Sequence, residues 1–426
     1  MRYAILTFGC KVNQYESNAI SNDMTAQGFE KTELPEEAEV VIINSCTVTE
    51  TGSKKVCHEI RRLKNRNNNV IIVLTGCFSQ AFPDDAMKSG ADIVCGTADR
   101  RKIPSYIRSY SGSMPENLVT TIPTVYEEVN FSNTTGKTRA FVKIEDGCDR
   151  FCSYCIIPYA RGRVRSRSIE SIKSEIDACV RDGHKEIVLV GINLSCYGKD
   201  IGLTLADAVE AVASFDGVER VRLSSLEPEL LDEAMINRLS RVKKLCPHFH
   251  LSLQSGSDGT LKRMNRHYTA DEYYEIVCSL RKAFTNAVIT TDIMVGFPGE
   301  TDEEFKESLA FAEKVGFGKI HVFTYSIRKG TAAEKRTDHI PENIKQQRYK
   351  KMTELDKKKH STFLNSQIGT IQPVLIQKRT SPDYASGLTP NYTSVRIYGS
   401  KAKRHDVVNV KIVGVEGDSC LGKEIF

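Results

Sequence analysis

The sequence predicts an α/β protein in three parts: an amino-terminal parallel α/β domain, a central partial (β/α)6 barrel and a small carboxy-terminal β-barrel. The first two rest on short apolar runs alternating with polar, helix-like segments, over the first hundred residues and again in a longer series beyond residue 140. The third rests on the tail, where β-rich runs are separated by Gly, Pro, Ser and Asn turns rather than by helices. A chain of 426 residues exceeds what one hydrophobic core usually organises, which agrees with several domains.

In the first part, Ala4 to Phe8, Val40 to Asn44 and Val70 to Thr75 read as strands, with Asp92 to Val94 a weaker fourth. Tyr15, Ala19, Ile20 and Met24 recur near helical spacing between the first two. Residues 109–138 are rich in Ser, Thr, Pro, Gly and Asn and form the domain boundary, so the first domain is placed at residues 1–110. A second series follows at Ala140 to Ile144, Glu186 to Val190, Arg220 to Leu223, Phe249 to Leu253, Val288 to Val295 and Lys319 to Phe323. A charged helix over Pro341 to Phe363 closes this unit, placed at residues 134–365. The tail, residues 366–426, holds β-rich runs at Gly369 to Gln377, Ser394 to Tyr398 and Val407 to Val415.

Forty per cent apolar and 27% charged residues describe a folded protein, far from a disordered composition. No apolar run approaches the roughly 18 residues of a membrane span, and Met1 to Leu6 lacks a signal-peptide layout, so a cytoplasmic location without membrane contact is expected. Thirteen cysteines, an odd number, point in a reducing compartment to metal or catalysis rather than disulfides. The net charge of +5 is compatible with a polyanionic partner without requiring one. Locally, residues 341–360 carry seven basic against three acidic residues, and residues 366–426 eight against five.

Cys148, Cys152 and Cys155 lie within eight residues, just after the first strand of the central part. A tight loop there aims three thiols at one centre, the donor set of soft metals and iron-sulfur clusters. Three thiolates leave one iron of a cubane cluster open to a small molecule's amino and carboxylate groups. A structural zinc knot is the alternative, and it needs a fourth ligand that is not obvious between Cys155 and Cys179. In the first part, Cys10, Cys46 and Cys77 each follow a predicted strand, and parallel strands end on one sheet edge, so these thiols can also converge. Taken singly, each has the alternative of buried apolar filler. Cys95, after the weak fourth strand, is geometrically admissible as a fourth ligand but reads as structural. The other six cysteines lack ligand spacing, although Cys196 lies in a post-strand loop facing the presumed site.

With Tyr154 before its third cysteine, the triplet resembles the radical S-adenosylmethionine family, which implies a 4Fe-4S cluster whose open iron binds S-adenosyl-L-methionine. The resemblance implies cofactor contacts from Tyr154, Gly191, Asn193, Ser225, Glu227, Asp292 and Gly296, all but Tyr154 near the ends of strands where barrel sites assemble. Local turn chemistry is an equal alternative for each of these strand-end positions, as in the capping pair Thr301 and Glu304. The segments Thr7 to Gln14, Asn44 to Thr49 and Leu74 to Cys77 are similar to the amino-terminal domain of methylthiotransferases. There the matching cysteines hold a second 4Fe-4S cluster, so both trios, Cys10, Cys46, Cys77 and Cys148, Cys152, Cys155, become ligands and catalytic residues. The family's chemistry uses one S-adenosylmethionine to methylate a cluster-bound sulfur and another to generate the radical that attacks the target carbon.

The last sixty residues resemble a TRAM domain, which implies tRNA as substrate, with Lys378, Arg379, Arg396, Lys401, Lys403 and Arg404 on phosphates and Tyr392 and Tyr398 on bases. Arg161, Arg163, Arg165 and Arg167 alternate, so an extended segment places them on one face; phosphate or cofactor contact and a solvated basic strand are both open. The run Gly9 to Ser17 looks like the branch acting on N6-threonylcarbamoyladenosine beside the anticodon, whereas the isopentenyladenosine branch typically has Gln-Met where this chain has Lys11 and Val12. The expected activity is therefore C2 methylthiolation of threonylcarbamoyladenosine. Isopentenyladenosine tRNA, a ribosomal protein side chain, and a non-catalytic RNA-binding protein with structural metal stand as alternatives. A reductant such as flavodoxin or ferredoxin and a monomeric state complete the expectations.

Overall fold

The structure is a computed structural model, and it describes residues 1–129, 138–381 and 384–425. Most of the Ser- and Thr-rich boundary is thereby described, but residues 130–137 of it, including the start placed for the second domain, lie outside the described residues.

Six parallel strands form the amino-terminal sheet, in the order Glu30–Lys31, Arg2–Thr7, Val40–Ser45, Ile71–Gly76, Ile93–Cys95, Glu116–Leu118. Val40–Ser45 is buried along its whole length, as a central parallel strand covered on both faces should be. The Glu50–Arg66 helix packs with one face of the sheet and Ile20 and Met24 of the Lys11–Ala26 helix with the other. Thr7 pairs with Asn44, and Asn44 with Thr75, so three strands end level and their outgoing loops share one edge. Cys95 falls inside its strand, not after it, and its side chain is buried in the sheet's core.

The central part is a partial barrel of two parallel sheets. Arg220–Leu223, Glu186–Val190 and Arg139–Lys143 form one; Ser225–Leu226, His248–Leu251, Val288–Val295 and Lys319–Thr324 form the other; a Val221–Leu245 bridge links them. Alternate residues face outward under the helices: Ala140, Val142, Ile187, Leu189, Val221, Leu223, Phe249, Leu251 and Ile293 share one large core. By the two-residue period of a strand, the opposite face carries Arg139, Phe141, Lys143, Glu186, Arg222, His248, His250, Asp292, His321 and Phe323. Closed (β/α)8 barrels fill this space with branched apolar side chains. Here Val12 of the first helix plugs only one side, against Phe141, Val188 and Val190. The rest is a polar chamber where His321, Phe323 and Tyr392 keep exposed surface.

The Glu342–Ser366 helix, entered from Pro341, covers the last barrel strand, where Asp356 accepts from the Ile320 amide at 2.7 Å and from Lys319 Nζ at 2.6 Å. The tail is a closed five-stranded barrel of Ile371–Ser381, Tyr384–Leu388, Ser394–Tyr398, Ser419–Glu424 and Val407–Glu416. Two of these strands have no counterpart in the sequence pattern. Their Gly387 and Gly422 interrupt the apolar alternation because a Cβ there would overlap the Leu375 carbonyl or the Val410 side chain. The small barrel docks under the partial one: Arg220 donates to the Leu388 and Pro373 carbonyls at 2.9 and 2.8 Å, and Arg222 to Pro390 and Thr389.

Candidate active site

Gly147 opens the first cysteine loop at φ +88°, in a position where any Cβ would overlap the Arg163 carbonyl. Backbone bonds from Cys148 to Gly162, Ser153 to Met264 and Cys155 to Cys152 then fold the loop back on itself. Cys148 and Cys155 each lie within electrostatic reach of Cys152. Burial pushes the Cys148 thiol up to about 12 and the Cys155 thiol higher still, so holding them as thiolates takes nearby positive charge of the kind a metal cluster supplies. Two donors already face sulfur: Asn193 Nδ2 at 3.6 Å from Cys148 Sγ and Arg266 Nη1 at 3.3 Å from Cys152 Sγ. Three thiols with polar donors behind them fit a 4Fe-4S cluster with one open iron. Among the described residues, no group of three or more His, Cys, Asp or Glu closes around a single ion as the side chains stand.

The other expected cofactor residues fall into two groups. Around Cys148 and Cys152, Glu145 takes the Asn193 amide at 2.8 Å and fixes the turn, with Gly191 so close that a Cβ would lie 2.5 Å from Glu145 Oε2. Burial raises the Glu145 carboxyl well above its usual range. Glu227 pairs with Arg266 and so holds the guanidinium that reaches Cys152, while Ser225 bonds Ser252 at 3.1 Å. On the Cys155 side a cavity of about 200 Å³ is lined by Tyr154, Asp292, Gln254, Met294, Phe323 and Tyr325, with Val48 and Thr49 from the loop after the Val40–Ser45 strand. Gly296 does not line it; this glycine turns against Lys345 of the long helix. Arg266, Met294 and Tyr325 carry no sequence motif and emerge only from the packing. Cys196 is buried in the turn after Asn193 with no thiol among the charges acting on it.

Cys10, Cys46 and Cys77 come together at the level sheet edge. A Cβ on Gly9 would lie 2.8 Å from Cys46 Cβ and 3.1 Å from its sulfur, and Cys77 feels both Cys46 and Cys10. Cys10 occupies the N-cap position of the first helix, and Asn13 one turn on donates to the Phe8 and Ser45 carbonyls at 2.8 and 3.0 Å, tying two of the loops together. Burial pushes the Cys77 thiol up to about 12, against the pull of Arg161. Arg161 Nε donates to Cys77 Sγ at 3.1 Å, and its other nitrogens reach Glu16 at 2.7 and 2.9 Å, Asn13 at 2.8 Å and Asp146 at 3.1 Å. Burial alone would raise Glu16, but Arg100, Arg161 and Lys143 outweigh it and hold the carboxyl at about 2. Thiols facing a buried guanidinium suit a second cluster.

The four alternating arginines do not share a face. Arg161 ends the Ile157–Arg161 helix and is fully buried; Arg165 and Arg167 are drawn inward by Asp146 and Glu175, leaving Arg163 in solvent beside Asp149. Tyr392 lies apart from Tyr398. At φ +71° it turns into the chamber floor, stacked on His248 at 4.6 Å beneath the guanidiniums of Arg222 and Arg139 at 4.8 and 5.4 Å. Burial works to raise its hydroxyl, but Arg139, Lys11 and Arg222 hold it below the usual phenol range. Tyr398 and the six basic residues named for phosphate contact are exposed on the small barrel.

The profile of the radical SAM superfamily matches residues 142–312, and that of the uncharacterized protein family UPF0004 matches residues 2–96. The threonylcarbamoyladenosine tRNA methylthiotransferase MtaB of Thermotoga maritima is 40% identical over 97% of this chain and 95% of its own. A tRNA-2-methylthio-N(6)-dimethylallyladenosine synthase of Clostridium botulinum is 36% identical over 99% and 97%. The radical S-adenosylmethionine methyltransferase TsrM from Kitasatospora setae, solved with cobalamin and a 4Fe-4S cluster, shares the fold at 12% identity, with a TM-score of 0.59 over 78% of this chain and 77% of that one. With relatives matching from end to end, the chain belongs to the methylthiotransferase family of radical S-adenosylmethionine enzymes.

Proposed function

We propose that this enzyme methylthiolates C2 of N6-L-threonylcarbamoyladenosine next to the anticodon of tRNA, using two 4Fe-4S clusters and S-adenosyl-L-methionine. The observation that supports it is the pair of three-thiol sites joined through one five-residue helix, which leaves Cys155 and ends on Arg161 against Cys77. When bound, the Cys148, Cys152, Cys155 cluster supplies the electron that cleaves the cofactor, and the Cys10, Cys46, Cys77 cluster offers an iron for the transferred sulfur. Asn193 and Arg266 orient the sulfurs of the first, Arg161 that of Cys77, and Glu227 keeps Arg266 in place. Tyr154 and Asp292 line the cofactor cavity, and Gly191 and Ser225 shape turns beside it. The open chamber receives the base while the exposed lysines and arginines of the small barrel hold the RNA backbone.

The nucleoside follows the Thermotoga relative; the dimethylallyladenosine named for the Clostridium relative is the second reading. We place the enzyme in the cytoplasm as a monomer fed by a low-potential one-electron donor such as flavodoxin or ferredoxin. Among the described residues no helix is long and apolar enough to cross a membrane.

Nucleoside mass spectrometry of tRNA after anaerobic reaction tests the proposal. Methylthiolated threonylcarbamoyladenosine is the expected product, and methylthiolated isopentenyladenosine alone favours the second reading. Cys148→Ala should abolish 5'-deoxyadenosine. Cys77→Ala should keep part of the cofactor cleavage and lose methylthiolation; wild-type product yield from this variant refutes the second cluster.

A further inference from the structure

The chamber floor holds more positive charge than the described residues neutralise. Arg139, Arg220 and Arg222 crowd one buried carboxylate, Glu186, at 4.0, 3.6 and 2.7 Å. Arg220 and Arg222 also donate to carbonyls of the small barrel, whereas Arg139 Nη1, buried and 4.0 Å from Glu186, finds no hydrogen-bond partner among the described residues. Lys11, half-buried, lies within electrostatic reach of Arg139, Arg222 and Tyr392 and makes no ion pair among the described residues. Of the other groups facing this cluster, His248 is driven toward neutrality by burial and by Arg222 and adds no further positive charge, and burial pushes the Cys246 thiol up to about 11, so it supplies no counter-charge. Tyr392 stays 36% exposed beneath the two guanidiniums, so the floor is open on the chamber side.

Lys11 directly follows Cys10, one of the sulfurs assigned to the second cluster. A base whose C2 lies between the two trios therefore presents its neighbouring atoms to this ammonium. In the nucleoside proposed above, the substituent on N6 leaves the same edge of the purine as C2 and ends in a carboxylate. Resting on that reading of the substrate, we propose that Lys11 and Arg139, over the Tyr392 hydroxyl, form the subsite that takes the threonyl carboxylate. An anion there meets an ammonium without an ion pair among the described residues and a guanidinium that shares one carboxylate with two others, in a half-buried setting where such pairing discriminates against a neutral ligand. An isoprenoid substituent, with no charge to offer, would cover both half-buried cations without matching them.

The test uses reconstituted wild-type enzyme, Lys11→Gln, Lys11→Arg and Arg139→Gln, with anticodon stem-loop RNA carrying threonylcarbamoyladenosine as the free acid or as its methyl ester. S-adenosylmethionine is the same in every arm, so its own carboxylate cannot produce a difference between the two RNAs. Measured are kcat/KM for methylthiolated product, RNA dissociation constants by fluorescence anisotropy, and iron per chain. The wild type should favour acid over ester by about tenfold or more. Lys11→Gln should flatten that ratio in both kcat/KM and binding by losing performance on the acid alone, and Lys11→Arg should keep most of it. A lysine serving only the Cys10 sulfur would treat the two RNAs alike. If Lys11→Gln loses iron, Arg139→Gln, at the far end of the strand that precedes the Cys148 loop, decides by the same ratio. A wild type that modifies acid and ester equally, or variants that keep the wild-type ratio, overturn the carboxylate subsite while the proposed function stands. A wild type that modifies neither RNA overturns both.

Discussion

Arg161 Nε donates to Cys77 Sγ at 3.1 Å, from a helix that begins two residues after Cys155 and across the boundary between two sheets. One guanidinium thus touches a sulfur of one trio while its backbone extends from the other. Its charge is matched by Glu16 and Asp146, so the contact is held by a buried network rather than by a lone hydrogen bond.

Replacing that guanidinium separates positioning from folding. Arg161→Met would strand Glu16 and Asp146 beside fewer cations and should destabilise the protein by roughly 3–5 kcal/mol. Arg161→Lys keeps the charge but loses the fork that serves Glu16 and Cys77 together. It should retain iron and cofactor cleavage while methylthio product per 5'-deoxyadenosine falls, with a changed visible spectrum of the Cys77 site. An unchanged product ratio and spectrum would show that the contact is only structural.

Two buried carboxyls predict opposite pH behaviour. Glu16 is held at about 2, below its unfolded value, so its stabilisation is present above the unfolded pKa and is lost as pH falls through the folded one. The shift corresponds to roughly 3 kcal/mol, and Glu16→Gln should lower the urea midpoint at pH 7 and narrow the loss seen toward pH 3. Glu145 is raised by burial, so its contribution is complete below the unfolded pKa and disappears as pH climbs through the folded one. Glu145→Gln, which still accepts from the Asn193 amide, should raise the midpoint near pH 8 relative to wild type.

Gly387→Ala should weaken the small barrel. The added methyl would overlap the Leu375 carbonyl, a backbone atom that cannot rotate away. A loss of about 1–3 kcal/mol, or a tail newly open to limited proteolysis, is expected; wild-type resistance would mean that the strands can spread.

The exposed Lys378, Lys401 and Lys403 should act through phosphates. Changing all three to Gln should weaken tRNA binding and flatten its salt dependence by up to about 0.9 for each duplex phosphate no longer neutralised, with turnover restored at saturating tRNA. Unaltered salt dependence would move the RNA path elsewhere.

Much of this arrangement is legible in the residues alone. The level strand ends that gather Cys10, Cys46 and Cys77 follow from parallel pairing, and the eight-residue span of the other trio needs only a loop. Arg161 is different: alternation in sequence suggests an extended basic face, and it reveals neither a helix boundary at Gly162 nor the carboxylate of Glu16 waiting 145 residues upstream. The Tyr384–Leu388 and Ser419–Glu424 strands are hidden by glycines that close packing requires. Tyr392 reads as a base-stacking residue, and its left-handed backbone and its place on His248 between Arg222 and Arg139 are not visible in the sequence. Arg266 and Glu227 meet across 39 positions, a pairing that no local pattern announces.

Because Tyr392 belongs to the carboxy-terminal barrel yet paves the floor of the central chamber, the two are not interchangeable modules. Grafting a relative's tail onto this core would exchange part of the reaction vessel along with the RNA grip. Chimeras between branches should therefore change which base is accepted, and a tail supplied as a separate polypeptide would leave the vessel without its base.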